Sequence, residues 1–344
     1  MFDLDLLRTL ATTDAPSGFE SAMRDAITAR LNKLGICSSV SPDGSVAAVI
    51  PAKCASKGKL MLQAHTDEVG FMVRSHTDDG FLKISPLGLR DTRLLTGRRV
   101  TVAGKDEDLN GFIGAIPIHL SKDGKKVPSY SDLYVDIGAD TKSEAEAAAP
   151  LGCAGCFKSN FEVIGTDGAF IKSKALSGRA ACAVLLTLAE HFSSEENSLP
   201  YDLYFAFSPR GKLSLSGGAA LYTRLRPDCV ISVTSFEIPN DESISSHRGV
   251  AVPLFEEKYT FDLAVAGQLK DALGTSDKIE VTAPTPSADE CEFDLIRLKS
   301  TGAKLCAVKL PVKNRNTACE VMSRDSVDTA CDLLKNALPQ LSFM

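Results

Sequence analysis

The chain has 344 residues, of which 44% are hydrophobic and 24% charged, which is the usage of a soluble globular protein with one large domain and a smaller one. Its net charge of -6 argues against a nucleic-acid partner, because such proteins need a basic surface to displace counterions. No run approaches the ~18 consecutive apolar residues of a membrane span, and the acidic start is unlike a signal peptide. We therefore expect a cytoplasmic protein with no membrane partner.

The first part of the sequence predicts a helix followed by two buried strands. Residues 17–35, SGFESAMRDAITARLNKLG, place Met23, Ile27 and Leu31 at helical spacing before a glycine. The apolar runs SVAAVIP and KLMLQAH are rich in β-forming residues and bounded by turn residues, as strands are. The second predicted strand ends at His65.

The rest of the chain shows two kinds of sequence pattern. After residue 70, short alternating runs such as GFMVRSHTDDGFLKIS and DLYVDIG predict strands, with a helix only around TKSEAEAAAPLG. From about residue 170, helical and strand patterns alternate to the end. We predict an α/β domain, residues 1–68 and 165–344, with helices on both faces of its sheet, and an inserted β-rich domain, residues 69–164.

The segment LMLQAHTDEVGFMV is the first candidate for a functional site. His65 and Asp67 follow a predicted strand, and the carboxyl ends of strands form the usual ligand crevice of an α/β sheet. A neutral imidazole binds divalent metals, and a nearby carboxylate ligates the metal or orients the imidazole. A polar cluster that closes a strand is also an ordinary loop start, so this segment alone does not decide between the two.

Several segments in the same order resemble the M42 aminopeptidases, a family of metallopeptidases that form tetrahedral shells. They include AHTDEVGFMV, GFLKISPLG, GFIGAIPIHL, LYVDIGADTKSEAE, KALSGRAACAVLL and GAKLCAVKLPVKNRNTACEV. The resemblance implies a zinc-peptidase-like (phosphorylase/hydrolase-like) mixed sheet with an inserted β-barrel, and a homo-oligomer of dimers or larger. It also implies two divalent ions, Zn or Co, that acidify a bridging water, and a glutamate that moves its proton.

Most of the family's metal ligands are missing from this chain. His65 matches the first ligand and Asp67 the carboxylate that orients the site, while Glu320 matches a family acid. The stretch between Asp202 and Asp228 contains no Asp or Glu, so the paired glutamates are absent in any register. The substituted positions of the family site are Ser177, Pro209, Arg210, Thr234 and Asn316.

We therefore predict that no metal is bound and that the chain is a non-catalytic family member. The Arg210 guanidinium is suited to pair with Asp67 or Glu68 in the place of the metals. One alternative is an active hydrolase with a rebuilt site near His65 and Asp67, either mononuclear or a metal-free carboxylate pair such as Asp67 with Glu237. Another is a structural or peptide-binding subunit of an oligomeric shell, with a peptide or small-molecule ligand in the cleft.

The other reactive residues favour simpler interpretations. Cys153 and Cys156 have the spacing of half a zinc site, but no second pair completes it, so we expect loop thiols. Cys182 lies in an apolar helical pattern and is expected to be a buried thiol rather than a nucleophile.

Two polar clusters later in the chain receive no catalytic role. His247 and Arg248 are expected in a loop, which the resemblance would place near the mouth of the site. Asp289, Glu290 and Glu292 cluster at a predicted helix start, where the helix dipole favours acids.

Overall fold

The computed structural model describes residues 2–89, 91–115, 127–194, 199–214, 216–238, 248–256, 259–272, 279–282, 296 and 302–343. Its helices are α1 (Leu4–Thr12), α2 (Ser21–Lys33), α3 (Lys142–Ala148), α4 (Leu176–Ser193), α5 (Ser216–Leu225), α6 (Leu263–Asp271) and α7 (Arg324–Ala337). Single 3-10 turns lie at Thr92–Leu94 and Leu338–Gln340. None of the described helices is both long and apolar enough to cross a membrane.

The strands, in chain order, are β1 (Ser38–Val40), β2 (Val46–Ile50), β3 (Lys59–His65), β4 (Gly70–His76), β5 (Leu82–Leu87), β6 (Arg99–Ala103), β7 (Asp108–Ala115), β8 (Leu133–Asp136), β9 (Ala154–Phe157), β10 (Glu162–Ile164), β11 (Phe170–Ser173), β12 (Asp202–Ser208), β13 (Cys229–Glu237), β14 (Val250–Pro253), β15 (Phe255–Glu256), β16 (Tyr259–Thr260), β17 (Ile279–Thr282), β18 (Lys304–Lys313) and β19 (Glu320–Ser323).

One large mixed sheet organises most of the protein. Its order is β1-β2-β12-β3-β13-β18-β19-β11-β10, and β14 joins it by pairing with β18 and β17. The central strands β12, β3, β13 and β18 run parallel, so their carboxyl ends meet at one edge. His65, the last residue of β3, lies opposite Ser208 of β12 at this edge.

The large sheet is covered on both faces. On β13, Ile231 and Val233 join the main hydrophobic core with buried residues of α1, α2, α4, α6 and α7. Val230, which points to the opposite face, packs in a smaller cluster that includes Leu221 and Tyr222 of α5. Burial on both faces explains the continuous apolar runs of these strands. The predicted mixed sheet with helices on both faces is confirmed.

Strands β4 to β9 close into a separate barrel in the order β4-β5-β8-β7-β6-β9. Its interior holds Phe71, Val73, Val100, Val102 and Ile113, among other apolar side chains. The predicted barrel-like insertion is therefore confirmed as an architecture. Its exact boundaries stay a prediction, and β10, placed in the insertion at residues 162–164, pairs with β11 of the large sheet.

Candidate functional site

His65 lies in a tight, buried position at the carboxyl end of β3. Its side chain is 3% exposed, and its Nδ1 lies 3.1 Å from Asp67 Oδ1. The ring covers the first turn of α4 so closely that a Cβ on Gly178 would come within 2.4 Å of His65 Cε1. His65 Nε2 is buried and has no hydrogen-bond partner among the residues that the structure describes.

Asp67 is held as a carboxylate by backbone donors. The N–H of Gly211 donates to Oδ1 at 2.8 Å, and the N–H of Lys212 donates to Oδ2 at 2.7 Å. Burial alone would raise the pKa of Asp67, but His65 and the Lys212 N–H outweigh it and lower this pKa to about 2. Both carboxylate oxygens are therefore engaged with N–H donors of the 211–212 turn.

The segment around Arg210 departs from our prediction. Arg210 is exposed, and its backbone N–H, not its guanidinium, donates to Glu20 Oε1 at 2.8 Å. In the described part of the chain, no ion pair joins Arg210 to Asp67 or Glu68, so the predicted pairing is wrong. Arg210 has a φ of 61°, and this left-handed turn presents the next two N–H groups to Asp67. Pro209, which precedes it, is buried and packs against Gly217 of α5.

Glu68 has two other cationic partners. Its Oε1 accepts hydrogen bonds from Lys174 Nζ at 2.8 Å and Arg179 at 3.2 Å, and also from the N–H of Ala15 at 3.0 Å. All three charged side chains are almost fully buried. The cations beside Glu68 are therefore Lys174, just before α4, and Arg179 within it, and not the predicted Arg210.

Lys174 also joins two other segments. Its ammonium donates to Asp14 and contacts Cys156 Sγ at 3.3 Å. Burial opposes a charge on Lys174, yet Glu68, Cys156 and Asp14 together raise the pKa of its ammonium. Burial likewise raises the pKa of the Cys156 thiol, with the Glu68 charge adding to it.

The Lys174 ammonium occupies the space between three side chains that could otherwise bind a metal ion. Asp14, Glu68 and Cys156 form the one group of at least three His, Cys, Asp or Glu residues, among those described, whose ligand atoms lie within 4.8 Å of one another. Because the ammonium of Lys174 contacts all three side chains, the group is a buried ion-pair network.

Ser177 and Asn316 meet at Glu320. The N–H and Oγ of Ser177 donate to the Glu320 carboxylate at 2.6 and 3.1 Å, and the Asn316 N–H donates at 2.7 Å. Burial raises the pKa of Glu320, opposed by the Ser177 N–H and by the positive charge of Lys212. Asn316 contributes its backbone, in a left-handed conformation with φ 62°, rather than its side chain.

Thr234 is half-buried on β13, directly beside Lys309 of β18 in the strand register. Burial and the nearby Arg315 lower the pKa of Lys309 to about 7. Sequence reasoning missed this lysine and Lys212. The signal for Lys309 is a lysine in the middle of the strand KLCAVKLPVK, with apolar residues on both sides, which predicts a buried ammonium.

The remaining candidates have structural surroundings or lie outside the described residues. The Cys182 thiol is buried in α4 and donates to the His65 carbonyl at 3.3 Å. The Glu237 carboxylate accepts from the N–H groups of Asn314 and Arg315 and so caps that loop. Arg248 lies over the ring of Phe170. His247, Asp289, Glu290 and Glu292, for which we make predictions from the sequence, lie outside the described residues.

Comparison with known proteins places the chain in a family. The family model for M42 glutamyl aminopeptidases matches residues 44–333. A lysyl aminopeptidase of Pyrococcus furiosus is 23% identical over 357 residues, with 100% of this chain and 99% of that protein covered.

Solved structures show the same fold. A TET aminopeptidase from a marine sediment archaeon, Thaumarchaeota archaeon SCGC AB-539-E09, superposes with a TM-score of 0.90 at 21% identity, covering 98% of this chain and 96% of that one. The TET1 peptidase of Pyrococcus horikoshii, which assembles into a tetrahedron or a large octahedral shell, gives 0.86 at 23% identity, covering 98% and 99%. The chain belongs to the M42 glutamyl aminopeptidase family.

Proposed function

We propose that this chain is an M42 family member that does not assemble the family's two-metal centre and does not hydrolyse peptides. The observation that carries the proposal is that Asp67 and Glu320, the two carboxylates that match the family site, already accept hydrogen bonds from the protein on both of their oxygens. Asp67 is engaged on both oxygens by the N–H groups of Gly211 and Lys212, and Glu320 on both oxygens by Ser177 and Asn316.

The donor set does not fit two divalent ions. His65 Nε2 is the one buried imidazole nitrogen at this edge without a partner in the described residues, whereas a zinc site needs about three or four protein ligands. The family position of the bridging aspartate holds Ser177, whose hydroxyl donates to Glu320. Hydroxyl and amide side chains do not supply the negative charge that two cations need.

Positive charge of the protein itself opposes metal binding further. The Lys212 side chain lies close enough to Glu320 to lower its pKa against the effect of burial. A cation at this point repels divalent metals. No acid stands in the stretch from Leu203 to Pro227, so the general base that typically contributes ~10²- to 10⁴-fold is missing as well.

In this proposal the protein serves as a binding or structural subunit. By analogy with the shell-forming TET1 peptidase, it forms a homo-oligomer, dimeric or larger. The proposal also places it in the cytoplasm. A peptide or small molecule would occupy the cleft at the carboxyl edge of the sheet. Size-exclusion mass of the purified chain tests the oligomer.

Metal analysis and peptidase assays test the loss of the centre. The purified chain is incubated with Zn²⁺, Co²⁺ or Mn²⁺, dialysed, and its metal content measured by elemental analysis, followed by assays on aminoacyl chromogenic substrates. The His65→Ala variant is the matched control. We expect less than stoichiometric metal that His65→Ala does not reduce, and no metal-dependent turnover. Two metals per chain with turnover lost in His65→Ala would refute the proposal.

A mononuclear hydrolase is the second candidate, and the unpartnered Nε2 of His65 is the observation in its favour. Its neighbour Asp67 already orients the imidazole, as carboxylates do beside metal-bound histidines. The same experiment separates the two candidates, because a mononuclear site binds one metal per chain, and the His65→Ala variant would lose both that metal and the turnover.

A further inference from the structure

A polar cavity lies on the far side of the Lys174 network, between the barrel and the large-sheet part of the protein. Its volume is about 310 Å³, and its walls include Asp14, Thr101, Asp108, Asn110, Lys158 and Lys174. All the side chains that line it are polar or charged. Its size is at the lower end of the ~300–1,000 Å³ of small-molecule sites, so it fits a small solute rather than a chain.

The barrel supplies one wall through the outward-facing positions of its strands. Thr101 on β6 lies between Asn110 on β7 and Cys156 on β9 in the strand register. The alternate residues Val100 and Val102 point into the barrel core. Lys158, directly after β9, donates from its ammonium to the amide oxygen of Asn110. This wall is therefore preformed on rigid strands, and the hydrogen bond to Asn110 uses one of the three N–H donors of Lys158.

The opposite wall is the segment that follows α1 together with Lys174. The Lys174 ammonium contacts Asp14, Glu68 and Cys156, so its three donors are committed to the protein. Lys174 therefore fixes the wall and neutralises charge, but it does not serve a ligand. Asp14 is different, because its side chain is 34% exposed while one of its oxygens accepts from Lys174.

The charges that face the cavity are of both signs. Lys158 is an exposed cation on the barrel wall, and Asp108 and Asp14 are carboxylates at the cavity surface. An anion alone would meet these carboxylates, and a cation alone would meet Lys158. A small molecule with an anionic and a cationic end satisfies both sets of groups. The lining offers no aromatic ring on which a sugar could stack.

We propose that this cavity binds a small zwitterion of the free amino acid class, with its carboxylate on Lys158 and its ammonium toward Asp108 and Asp14. The proposal does not depend on the proposed function, because none of these side chains belongs to the edge of the sheet where His65 lies. Hydroxyl and amide groups of Thr101 and Asn110 supply further hydrogen bonds.

Calorimetric titration of the full chain with L-serine tests the proposal, with ligand-observed NMR as a second readout. Propionate and ethanolamine, which carry one charge each, and glycerol, which carries none, are the comparison solutes. We expect saturable binding of L-serine and at least about tenfold weaker binding of the three others, since a charge-assisted hydrogen bond is worth about tenfold.

Matched variants distinguish the cavity from the rest of the surface. Lys158→Met and Asp108→Asn each remove one lining charge, and each is expected to weaken L-serine binding about tenfold. Lys105→Met and Asp106→Asn make the same charge changes at exposed barrel positions outside the lining, and binding should be unchanged. All four positions are exposed, so thermal unfolding should change little.

Three results would overturn the proposal. The first is no saturable signal at about 10 mM L-serine, a concentration that would fill a site of millimolar Kd. The second is equal binding of propionate, ethanolamine or glycerol, which would indicate an ion or polyol site. The third is binding that Lys158→Met and Asp108→Asn leave intact, which would place the ligand elsewhere.

Discussion

Acid destabilisation through Asp67 is the sharpest test of the site geometry. The Asp67→Asn variant keeps the side-chain shape but removes the charge. It also replaces one carboxylate oxygen, an acceptor for the backbone N–H of Gly211 or Lys212, by an amide group that cannot accept. The variant should therefore be less stable at neutral pH.

The magnitude follows from the pKa of Asp67, which falls from its ordinary 3.8 to about 2 on folding. Each pKa unit corresponds to about 1.4 kcal/mol, so the charge contributes about 2 kcal/mol to the free energy of unfolding. Because the folded-state pKa is the lower one, this stabilisation is complete above about pH 4 and is lost as the pH falls through about 2. The difference between wild type and Asp67→Asn should shrink by about 2 kcal/mol over that window.

Urea unfolding followed by far-UV circular dichroism measures this difference between about pH 7 and about pH 2. Asp25→Asn is the control, because Asp25 is exposed on α2 beside Arg24 and should change stability by less than about 0.5 kcal/mol at any pH. If the gap between wild type and Asp67→Asn were independent of pH in the acid window, the account of Asp67 as a strongly held carboxylate would be refuted.

Three further substitutions probe the surroundings of this site. Lys174→Met leaves the buried Glu68 carboxylate short of a partner and should cost about 3–5 kcal/mol of unfolding free energy. The control Lys172→Met, at a more exposed ion pair, should cost about 1 kcal/mol or less. Equal losses in the two variants would contradict the buried ion-pair network. Gly178→Ala places a Cβ 2.4 Å from the ring of His65 and should cost about 1–3 kcal/mol, and no loss in the same urea assay would show that the ring moves freely. Lys309→Met should raise the urea midpoint of unfolding at about pH 7, because the lowered pKa of Lys309 makes the stability of the wild type fall as the pH drops from about 10.5 to about 7. This gain should vanish above about pH 10.5. A gain that persists there would be due to packing instead.

The fold was predictable because it depends on local patterns. Apolar runs bounded by turn residues predicted the buried strands, and β3 ends at His65 as expected. Helical patterns predicted α2 and α4, and the short alternating runs after residue 70 predicted the strand-rich insertion. Each of these elements is determined by residues that are close together in the chain, so it can be predicted from a single sequence.

The sequence shows which residue types stand at the candidate site, but not how they are arranged. The missing acids could be read from the sequence, but the partner of Glu68 could not, since Lys174 and Arg179 lie over 100 residues away. The orientation of Arg210 depends on a left-handed φ at a residue that is not glycine, which is uncommon and has no sequence signature here. The prediction for Arg210 was wrong because the orientation of this residue depends on tertiary contacts.

The buried ammonium of Lys174 has a consequence for how the molecule comes apart. It contacts Asp14 ahead of α2, Glu68 just before the barrel and Cys156 within the barrel. A barrel that detached would break the contact between Lys174 and Cys156 and uncover Ala318, which packs in the hydrophobic cluster of the barrel, so detachment loses contacts that complete unfolding also loses. Inserted domains often melt separately from their hosts, but here hydrogen exchange should find barrel and host in one cooperative unit.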